Sequence, residues 1–227
     1  MRPRTVPPGI GGERAPPAAG TEPTAQGMKK KTLEMILQKI PPLSDPRPEL
    51  EQYSTPADVA SDVLFEAYSR GDVEGKAVLD LGCGNGILAI GAHLLGARIV
   101  AGVEIDPRAL HQARSNAEMS GADLELILAD VRQFSTKADT VVMNPAFGAQ
   151  RKGADRPFLD TAMSCADAIY SIHMAATERF LARYVEAAGF RLDLQKRYKF
   201  EIPHMFAFHT KTKKGFEVAL LCIRKSR

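Results

Sequence analysis

The sequence has no tryptophan, only three cysteines and no long apolar run. None of its uninterrupted apolar stretches approaches the roughly 18 residues that a membrane-spanning helix needs, which excludes an integral membrane protein built on such helices. Cys83, Cys165 and Cys222 are far apart and show no paired spacing. This spacing excludes a disulfide scaffold or a zinc ribbon formed by this chain alone. It is typical of a reducing compartment, so we predict a cytoplasmic location.

The charge of the chain is unevenly distributed. The 227 residues carry a net charge of +3, and their length favours one domain. Residues 195–227 hold nine Lys/Arg and two Asp/Glu, a net charge of +7, whereas the preceding residues sum to −4. Such an asymmetry indicates an anionic partner for the C-terminal part. The alternative is a charged face that only contacts solvent.

The N-terminal segment differs in composition from the rest of the chain. Residues 1–27 contain six prolines and five glycines, and Val6 and Ile10 are their only aliphatic side chains larger than alanine. Because such a segment buries too little apolar surface to offset its ordering entropy, we predict a disordered extension without a secretory signal. Met28 is a candidate for the natural start, and residues 28–227 are predicted to form the folded domain.

Two helices are predicted ahead of the sheet. The first covers residues 30–40, where apolar residues follow the i, i+3, i+4, i+7 spacing, and a proline pair ends it. For the second helix, Thr55 is the predicted N-cap, Pro56 the first helical residue and Asp58 the acid of a capping box. This helix is predicted to continue to about Ser69.

From residue 76 onward strands alternate with helices, which favours a parallel sheet with helices on both faces. The predicted strands cover residues 77–81, 99–105, 124–128, 140–143 and 168–172, and the helices cover 87–95, 107–119, 158–166 and 177–188. Two extended runs follow, at 191–200 and 216–223. Because no crossover helix separates them, we expect an antiparallel C-terminal hairpin. The expected fold class is therefore α/β, with a mostly parallel seven-stranded sheet.

A glycine-rich turn follows the first strand. It reads Asp80-Leu81-Gly82-Cys83-Gly84-Asn85-Gly86, and Glu104 ends the next strand. Glycines allow a sharp turn and let a ligand reach the main-chain amides, while an acid at the end of the second strand can accept hydrogen bonds from ribose hydroxyls. The spacing differs from the dinucleotide fingerprint, and Asp80 would repel phosphate but suits the ammonium group of an amino acid.

This arrangement resembles motif I of the Rossmann-like class I methyltransferases that use S-adenosylmethionine. The resemblance implies that Glu104 binds the ribose and that Asp130 and Val131 lie where these enzymes hold the adenine amino group. The alternatives are a glycine-rich turn of another α/β protein and, for Asp130, a plain cap at a strand end. Asp106 is predicted chiefly as the N-cap of the helix that follows, and Cys83 as a packing residue.

A short motif follows the fourth strand, Asn144-Pro145-Ala146-Phe147-Gly148. It resembles the [Asn/Asp/Ser]-Pro-Pro-[Tyr/Phe/Trp] motif of methyltransferases that act on a planar amine. The Asn144 side-chain oxygen and the Pro145 carbonyl can accept the two N–H bonds of such an amine, and Phe147 can stack on the base. This chemistry needs no metal, and the sequence offers no convincing set of metal ligands. Ala146 stands where the motif has its second proline. Either the site tolerates this alanine, or the activity is reduced.

Several segments together resemble the methyltransferase-like protein 5 family over about residues 28–225. They are residues 50–56, the glycine-rich turn, the Asn144 motif, residues 152–155 with Phe158-Leu159, residues 170–173 and the segment 208–214. The family methylates the exocyclic amine (N6) of one adenosine in small-subunit ribosomal RNA. The resemblance also implies a small zinc-binding, Trm112-type activator protein, for which the strand at 124–128 would be a plausible docking edge.

The candidate site residues fall into three sets. The catalytic set is Asn144, Pro145, Ala146 and Phe147. The cofactor set for S-adenosylmethionine is Gln52, Tyr53, Thr55, Asp80, Gly82, Gly84, Asn85, Gly86, Ile87, Glu104, Asp130 and Val131. The RNA set is Arg151, Lys152, Lys199, His209, Lys211, Lys213 and Lys214. A wider basic rim adds Lys196 and Arg197, with Tyr198, Phe206 and Phe208 interleaved for stacking. About half of these aromatic side chains are expected to belong to the core instead.

Other functions remain open at this point. A methyltransferase for the side-chain amide of glutamine in a protein would use the same motif, because an amide is also a planar, weak nucleophile. A DNA adenine methyltransferase usually adds a target-recognition domain, for which this chain has no room. Ala146 also leaves open a non-catalytic scaffold that binds the cofactor.

Overall fold

The computed structural model describes residues 27–147, 153–200 and 216–226, apart from the side chains of Leu194, Phe200 and Phe216. Apart from Gly27, the predicted N-terminal extension lies outside the described residues. Some of the motif and candidate site residues also lie outside the described residues. They are Gly148, Arg151, Lys152, Phe206, Phe208, His209, Lys211, Lys213 and Lys214. Within the described part of the chain, no helix is long and apolar enough to cross a membrane.

Six helices and seven strands make up the described chain. In order they are α1 (Lys30–Leu37), α2 (Ala57–Ser69), β1 (Ala77–Leu81), α3 (Ile87–Leu94), β2 (Ile99–Glu104), α4 (Pro107–Ser120), β3 (Glu125–Leu128), β4 (Thr140–Met143), α5 (Arg156–Cys165), β5 (Ala168–Met174), α6 (Glu178–Ala187), β6 (Phe190–Phe200) and β7 (Phe216–Lys225). Short 3-10 turns occur at Pro48–Leu50, Val131–Gln133 and Ala175–Thr177.

The strands form one seven-stranded sheet in the order β3-β2-β1-β4-β5-β7-β6. Strands β1 to β5 run parallel, whereas β7 pairs antiparallel with both β5 and β6. This confirms the predicted α/β class and the antiparallel C-terminal hairpin. The strand order reverses between β1 and β4, and in open parallel sheets the crevice at such a reversal is the usual ligand site.

Two apolar layers cover the sheet. Val78 and Val142 face the layer formed with α1, α2 and α3. Their neighbours Leu79 and Val141 face the layer formed with α5 and α6. All five residues of β1 are buried, since successive side chains of a strand point to opposite faces and both faces are covered. The polar side chain of Asp80 is therefore carried into the interior at the end of this strand.

The start of α2 differs from the prediction. The helix begins at Ala57 with Pro56 as its N-cap, and no side chain caps it. Pro56 has an extended ψ of 145°, so it is not the first helical residue. The predicted N-cap, Thr55, instead accepts a hydrogen bond from Asn144. Asp106 does cap α4 as predicted, since its Oδ1 accepts the backbone N–H of Arg108 at 3.0 Å.

Candidate active site

A cavity of about 380 Å³ opens at the carboxyl ends of β1, β2 and β4. Its walls come from the turn after β1, the ends of the neighbouring strands, the N-terminal part of α5 and residues 49–55. Gly86 is the one predicted cofactor residue that does not line it. The lining residues from the cofactor set are Gln52, Tyr53, Thr55, Asp80, Gly82, Gly84, Asn85, Ile87, Glu104, Asp130 and Val131. Asn144, Pro145 and Ala146 line the same cavity, so the two predicted motifs meet in one site.

Three glycines shape the floor of the cavity. Gly82, Gly84 and Gly86 all have positive φ angles, of 72°, 54° and 83°. At Gly82 a Cβ atom would lie 2.9 Å from the Phe158 ring, whereas at Gly84 it would meet open space. The backbone at Gly84 can therefore be approached closely by a ligand. Gly86 contributes by packing rather than by lining, because a Cβ there would lie 3.2 Å from Ala113.

Asp80 is buried at the inner end of the cavity. Its Oδ2 accepts the backbone N–H of Ala89 at 3.0 Å, while its Oδ1 is buried and has no hydrogen-bond partner among the described residues. Burial raises the pKa of this carboxyl from 3.8 to about 8, and the nearby charge of Glu104 adds to the shift. An unpaired, desolvated carboxyl oxygen needs a donor or a cation. The ammonium group of the methionine part of S-adenosylmethionine is both, so its contact with Asp80 stays the prediction for this oxygen.

Glu104 is held rigidly by main-chain amides. Its Oε2 accepts the N–H of Gly84 at 3.0 Å, and its Oε1 accepts the N–H groups of Ile105 and Asp106 at 2.9 and 3.0 Å. Burial raises the pKa of Glu104, although these three hydrogen bonds oppose the shift. A carboxylate fixed in this way can accept hydrogen bonds from ribose hydroxyls without first having to reorient.

Asp130 lies at the cavity wall but already has a partner. Its carboxylate receives the backbone N–H of Arg132 at 2.9 Å, and both of its oxygens contact the guanidinium of Arg132. The hydrogen bonds from Arg132 hold the pKa of Asp130 below its ordinary value. Asp130 is thus both a cap of the short turn at Val131–Gln133 and a cavity residue. Its contact with an adenine amino group stays a prediction.

The side-chain amide of Asn144 is oriented by Thr55. Asn144 Nδ2 donates to Thr55 Oγ1 at 2.9 Å, while Asn144 Oδ1 is buried without a hydrogen-bond partner among the described residues. Pro145 is buried next to it and Ala146 is half-buried. Phe147 is half-buried against the layer of α1 to α3 and does not line the cavity, so its stacking on a base stays a prediction.

Residues 41–55 form a strap over the cavity. The sequence predicts Gln52, Tyr53 and Thr55 of this segment as cofactor residues, but it does not predict the hydrogen bonds that hold the strap. The Pro41 carbonyl accepts hydrogen bonds from the side chains of Asn85 and Asn116, at 3.0 and 3.2 Å. Gln52 Nε2 donates to Asp106 Oδ2 at 3.2 Å. Asn85 therefore helps to hold the strap through its side-chain nitrogen, and its contact with the cofactor stays a prediction. The strap has no periodic pattern, so no sequence signal identified its partners.

A buried polar chain connects Ser171, His173 and Asp155 just before α5. The His173 side chain is 1% exposed, its Nε2 lies 2.8 Å from Ser171 Oγ, and its Nδ1 lies 3.4 Å from Asp155 Oδ2. Asp155 immediately precedes α5, whose first residues line the cavity. Among the described residues no group of three or more His, Cys, Asp or Glu side chains is arranged to hold a metal ion.

The basic residues of β6 are only partly available to a ligand. Lys199 is exposed. Lys196 and Tyr198 both contact Asp62, at 2.5 and 2.9 Å, and Arg197 pairs with Glu178 at 2.7 Å. Intramolecular ion pairs therefore engage Lys196 and Arg197, and Tyr198 is half-buried, so the contact of these three residues with RNA stays a prediction. Sequence reasoning could not find these pairs, because their members are far apart in the chain.

Fold and site together define a class I methyltransferase that uses S-adenosylmethionine. The family model of ribosomal protein L11 methyltransferase (PrmA) matches residues 61–145, which carry the glycine-rich turn and its acids. The rRNA N(6)-adenosine-methyltransferase METTL5 of Danio rerio is 34% identical over 84% of this chain and 96% of its own length. Mettl5 of Drosophila melanogaster is 35% identical over 84% of this chain and 94% of its own. The chain belongs to the methyltransferase-like protein 5 family.

A solved structure supports the same assignment. The crystal structure of PH1948, a candidate RNA methyltransferase from Pyrococcus horikoshii, superposes with a TM-score of 0.82. It is 40% identical in sequence and covers 88% of this chain and 99% of its own. The similarity therefore extends beyond the part that binds the cofactor and includes the C-terminal hairpin.

Proposed function

We propose that this protein transfers a methyl group from S-adenosylmethionine to the N6 amine of an adenosine in small-subunit ribosomal RNA. The observation that carries the proposal is that Asn144 Oδ1 is buried without a hydrogen-bond partner among the described residues, and that Asn144 lines the same cavity as Asp80 and Glu104. A site with an unpaired acceptor next to a cofactor pocket suits an amine donor. The names of the Danio and Drosophila relatives supply the RNA substrate.

The residues act by holding the amine rather than by deprotonating it. Asn144 Oδ1 and the Pro145 carbonyl accept its two N–H bonds, which directs the nitrogen lone pair out of the ring plane and towards the reacting methyl group. S-adenosylmethionine supplies that methyl group on a sulfonium, and Asp80 and Glu104 fix its amino-acid and ribose ends. Proline at position 145 keeps its carbonyl preorganised, because the ring fixes φ.

The amine loses a proton during or after transfer, so no strong base is required. His173 is therefore not needed as a base, which agrees with the burial of its side chain. The expected contribution of Asn144 is that of one preorganised hydrogen-bond group, about 100- to 1,000-fold in turnover.

The direct test is mass spectrometry of small-subunit RNA from cells with and without this gene. In vitro, labelled-cofactor transfer to that RNA should occur with the wild type and fall about 100-fold or more with Asn144→Ala. Methyl transfer to a release factor but not to RNA would replace the proposal with the glutamine methyltransferase. Cofactor binding without methyl transfer to any substrate would leave only the interpretation as a non-catalytic scaffold that binds the cofactor.

Ala146 calls for a companion experiment. Proline at this position would remove an N–H and restrict φ next to the Pro145 carbonyl. Ala146→Pro is expected to leave cofactor affinity unchanged and to raise turnover if the present motif is impaired. Turnover that stays at the wild-type value would show that the site tolerates alanine.

We also infer that a Trm112-type activator docks on the outer edge of β3, in the cytoplasm. Within the described sheet β3 is the outermost strand, and it pairs only with β2. Leu128 at its end and Met119 on the adjacent α4 are 56% and 65% exposed. An exposed edge strand with apolar neighbours suits strand addition by a partner. Co-purification with such a protein should be lost when Leu128 is replaced by lysine.

A further inference from the structure

One exposed aromatic side chain lies outside the set of residues that line the cofactor cavity. Phe180, in the first turn of α6, is 45% exposed. Five large apolar side chains of the described residues are exposed, and Phe180 is the aromatic one among them; the others are Met35, Ile105, Met119 and Leu128. A single exposed phenylalanine means little by itself. The groups packed around it give it a specific chemistry.

Phe180 belongs to a stack of three flat groups, the Arg156 stack, which consists of Arg156, Phe180 and Tyr184. The guanidinium carbon of Arg156 lies 4.9 Å from the centre of the Phe180 ring. The Tyr184 ring lies 5.8 Å from Phe180, with 30° between the ring planes. Tyr184 also donates its hydroxyl to Asp160 Oδ1 at 2.7 Å, which ties α6 to α5. The stack is therefore fixed in place before any ligand arrives.

The Arg156 stack begins at the wall of the active-site cavity. A Cβ atom on Gly153 would lie 3.3 Å from Arg156 Nε, so the arginine side chain passes directly over this glycine. Gly153 lines the cavity, as do Pro157 and Phe158 from the start of the same helix. A substrate that enters the cavity on this side therefore passes next to the guanidinium of Arg156.

The surface around the stack has unneutralised positive charge. Arg179 and Arg183 are exposed one turn apart on α6. Within the described chain neither of them, nor Arg156, forms an ion pair with a carboxylate, whereas the neighbouring Glu178 is occupied by Arg197. Arg179 and Arg183 thus place two exposed guanidinium groups on the same helix as Phe180, where they can bind an anion.

We propose that the Arg156 stack, together with Arg179 and Arg183, binds the single-stranded RNA next to the target adenosine. This inference rests on the proposed function. Bases stack on aromatic rings and on guanidinium planes, and arginines pair with phosphates. An acidic protein segment would satisfy the charges but would leave the stack of flat groups without a partner. An adenosine in the cavity must be unstacked from its neighbours, so its flanking nucleotides need such a support.

The stacking part of the proposal is tested with the full chain and a labelled single-stranded RNA. The probe is about 20 nucleotides long, with one central adenosine among uridines, so that it exceeds the site size of a typical single-strand binder. By fluorescence anisotropy, Phe180→Ala and Arg156→Ala should each weaken RNA binding about 5- to 100-fold. Phe180→Tyr should bind nearly as well as the wild type, and calorimetry should show unchanged cofactor affinity in all three variants.

Two matched controls lie elsewhere on the surface. Met35→Ala removes a comparably exposed apolar group from α1, and Arg114→Gln removes an exposed arginine from α4, which packs near β2 and β3 at the opposite end of the sheet. Both should bind RNA like the wild type. The double variant Arg179→Gln, Arg183→Gln should reduce the slope of log affinity against log salt by about 1.4, since each phosphate contact on a single strand contributes about 0.7.

The outcomes separate this inference from the proposed function. Wild-type RNA affinity in both Phe180→Ala and Arg156→Ala, with methyl transfer to RNA intact, would overturn the binding surface and leave the methyltransferase standing. A poly-glutamate peptide that displaces the RNA as effectively as unlabelled RNA would also overturn it, in favour of an acidic protein partner. If RNA binding depends on Phe180 but the wild type transfers no methyl group to RNA, the surface stands and the proposed function fails.

Discussion

At the scale of single residues, two buried oxygen atoms define the chemistry of this protein. Asp80 Oδ1 and Asn144 Oδ1 are the two buried side-chain atoms without a hydrogen-bond partner among the described residues. Leaving such atoms unpaired costs about 1–3 kcal/mol each, and a folded protein retains them where a ligand supplies the partner. One suits the ammonium group of the cofactor and the other suits the amine that is methylated.

Thr55 is expected to position Asn144 in addition to lining the cavity. Thr55→Val keeps the shape of the side chain but removes the acceptor of Asn144 Nδ2, so the amide can turn its donor towards the substrate. We expect kcat to fall about 10- to 100-fold. Calorimetry measures separately any loss of cofactor affinity that comes from the predicted contact of Thr55 with the cofactor. Thr55→Ser keeps a hydroxyl and should retain near-wild-type kcat. Weakened cofactor binding with unchanged kcat would instead make Thr55 a cofactor contact alone.

The pKa of about 8 at Asp80 predicts a proton linkage. In the cofactor-free protein this carboxyl is mostly protonated at neutral pH, whereas binding of an ammonium group requires the carboxylate. Cofactor binding should therefore release protons at pH 7, and affinity should rise towards about pH 8 and fall again where the amino group of the cofactor loses its own proton. Calorimetry in buffers with different heats of ionisation measures the release. Asp80→Asn should lose it, and an affinity that is flat between about pH 6 and pH 9 in the wild type would contradict this linkage.

At the scale of elements, the C-terminal hairpin is attached to the parallel sheet by a polar cluster. The guanidinium of Arg224, on β7, contacts both carboxylate oxygens of Asp72, which lies between α2 and β1. The Tyr170 hydroxyl, on β5, donates to Asp72 Oδ2 at 2.5 Å. Asp72 therefore joins three parts of the fold at the end of the sheet away from the active site.

Removal of that carboxylate should destabilise the protein. Asp72→Asn leaves the partly buried Arg224 without its counter-charge, and we expect the free energy of unfolding to fall by about 2–3 kcal/mol. Denaturant unfolding measures this change. The control is Asp193→Asn, because Asp193 pairs with Arg191 on the surface at 3.8 Å, with side chains 46% and 69% exposed. That substitution should change stability by less than about 0.5 kcal/mol. Equal effects of the two substitutions would show that the cluster adds no more than a surface pair.

The sequence predicts regular elements better than it predicts their connections. The bounds of β1 and β4 agree with the predicted 77–81 and 140–143, because short apolar runs between polar residues define them. The strand β5 continues beyond the predicted end at residue 172, to Met174, since the polar His173 is buried against Ser171 and Asp155. Position in a strand cannot reveal such a partner.

In the candidate site, too, the sequence predicts local patterns better than contacts between distant residues. Its glycines and acids follow strands and are visible as a local pattern, whereas the strap is held by hydrogen bonds between residues far apart in the chain. Pro41 is bound by Asn85 and Asn116, and Gln52 by Asp106. The misplaced N-cap at Thr55 has the same origin, because its hydroxyl has a partner 89 residues away. Side chains with two possible partners, one local and one distant, cannot be assigned from spacing.

At the scale of the whole molecule, the excess positive charge of the C-terminal part has two roles. Part of the positive charge of residues 195–227 docks the hairpin on the acidic body. The pairs are Lys196 with Asp62, Arg197 with Glu178, Arg224 with Asp72 and Lys225 with Asp167. Among the described residues, Lys199 is exposed and forms no ion pair, so it is a candidate for the proposed contact with RNA, whereas Lys211, Lys213 and Lys214 lie outside the described residues. Arg156 of α5 and Arg179 and Arg183 of α6, which form no ion pair among the described residues, extend the positive surface beyond residues 195–227.

The cofactor cavity also connects parts of the molecule that are distant in sequence. The strap, the turn after β1, Asn144 and the start of α5 all contribute to its walls. S-adenosylmethionine should therefore stabilise them together, by about 2.7 kcal/mol at a concentration 100 times its Kd. In hydrogen exchange, amides of the strap and of the turn after β1 should become more protected when it binds, whereas amides around Asp72 should respond only to the global change in stability. Protection confined to the turn after β1 would show that the strap is not part of the cofactor site.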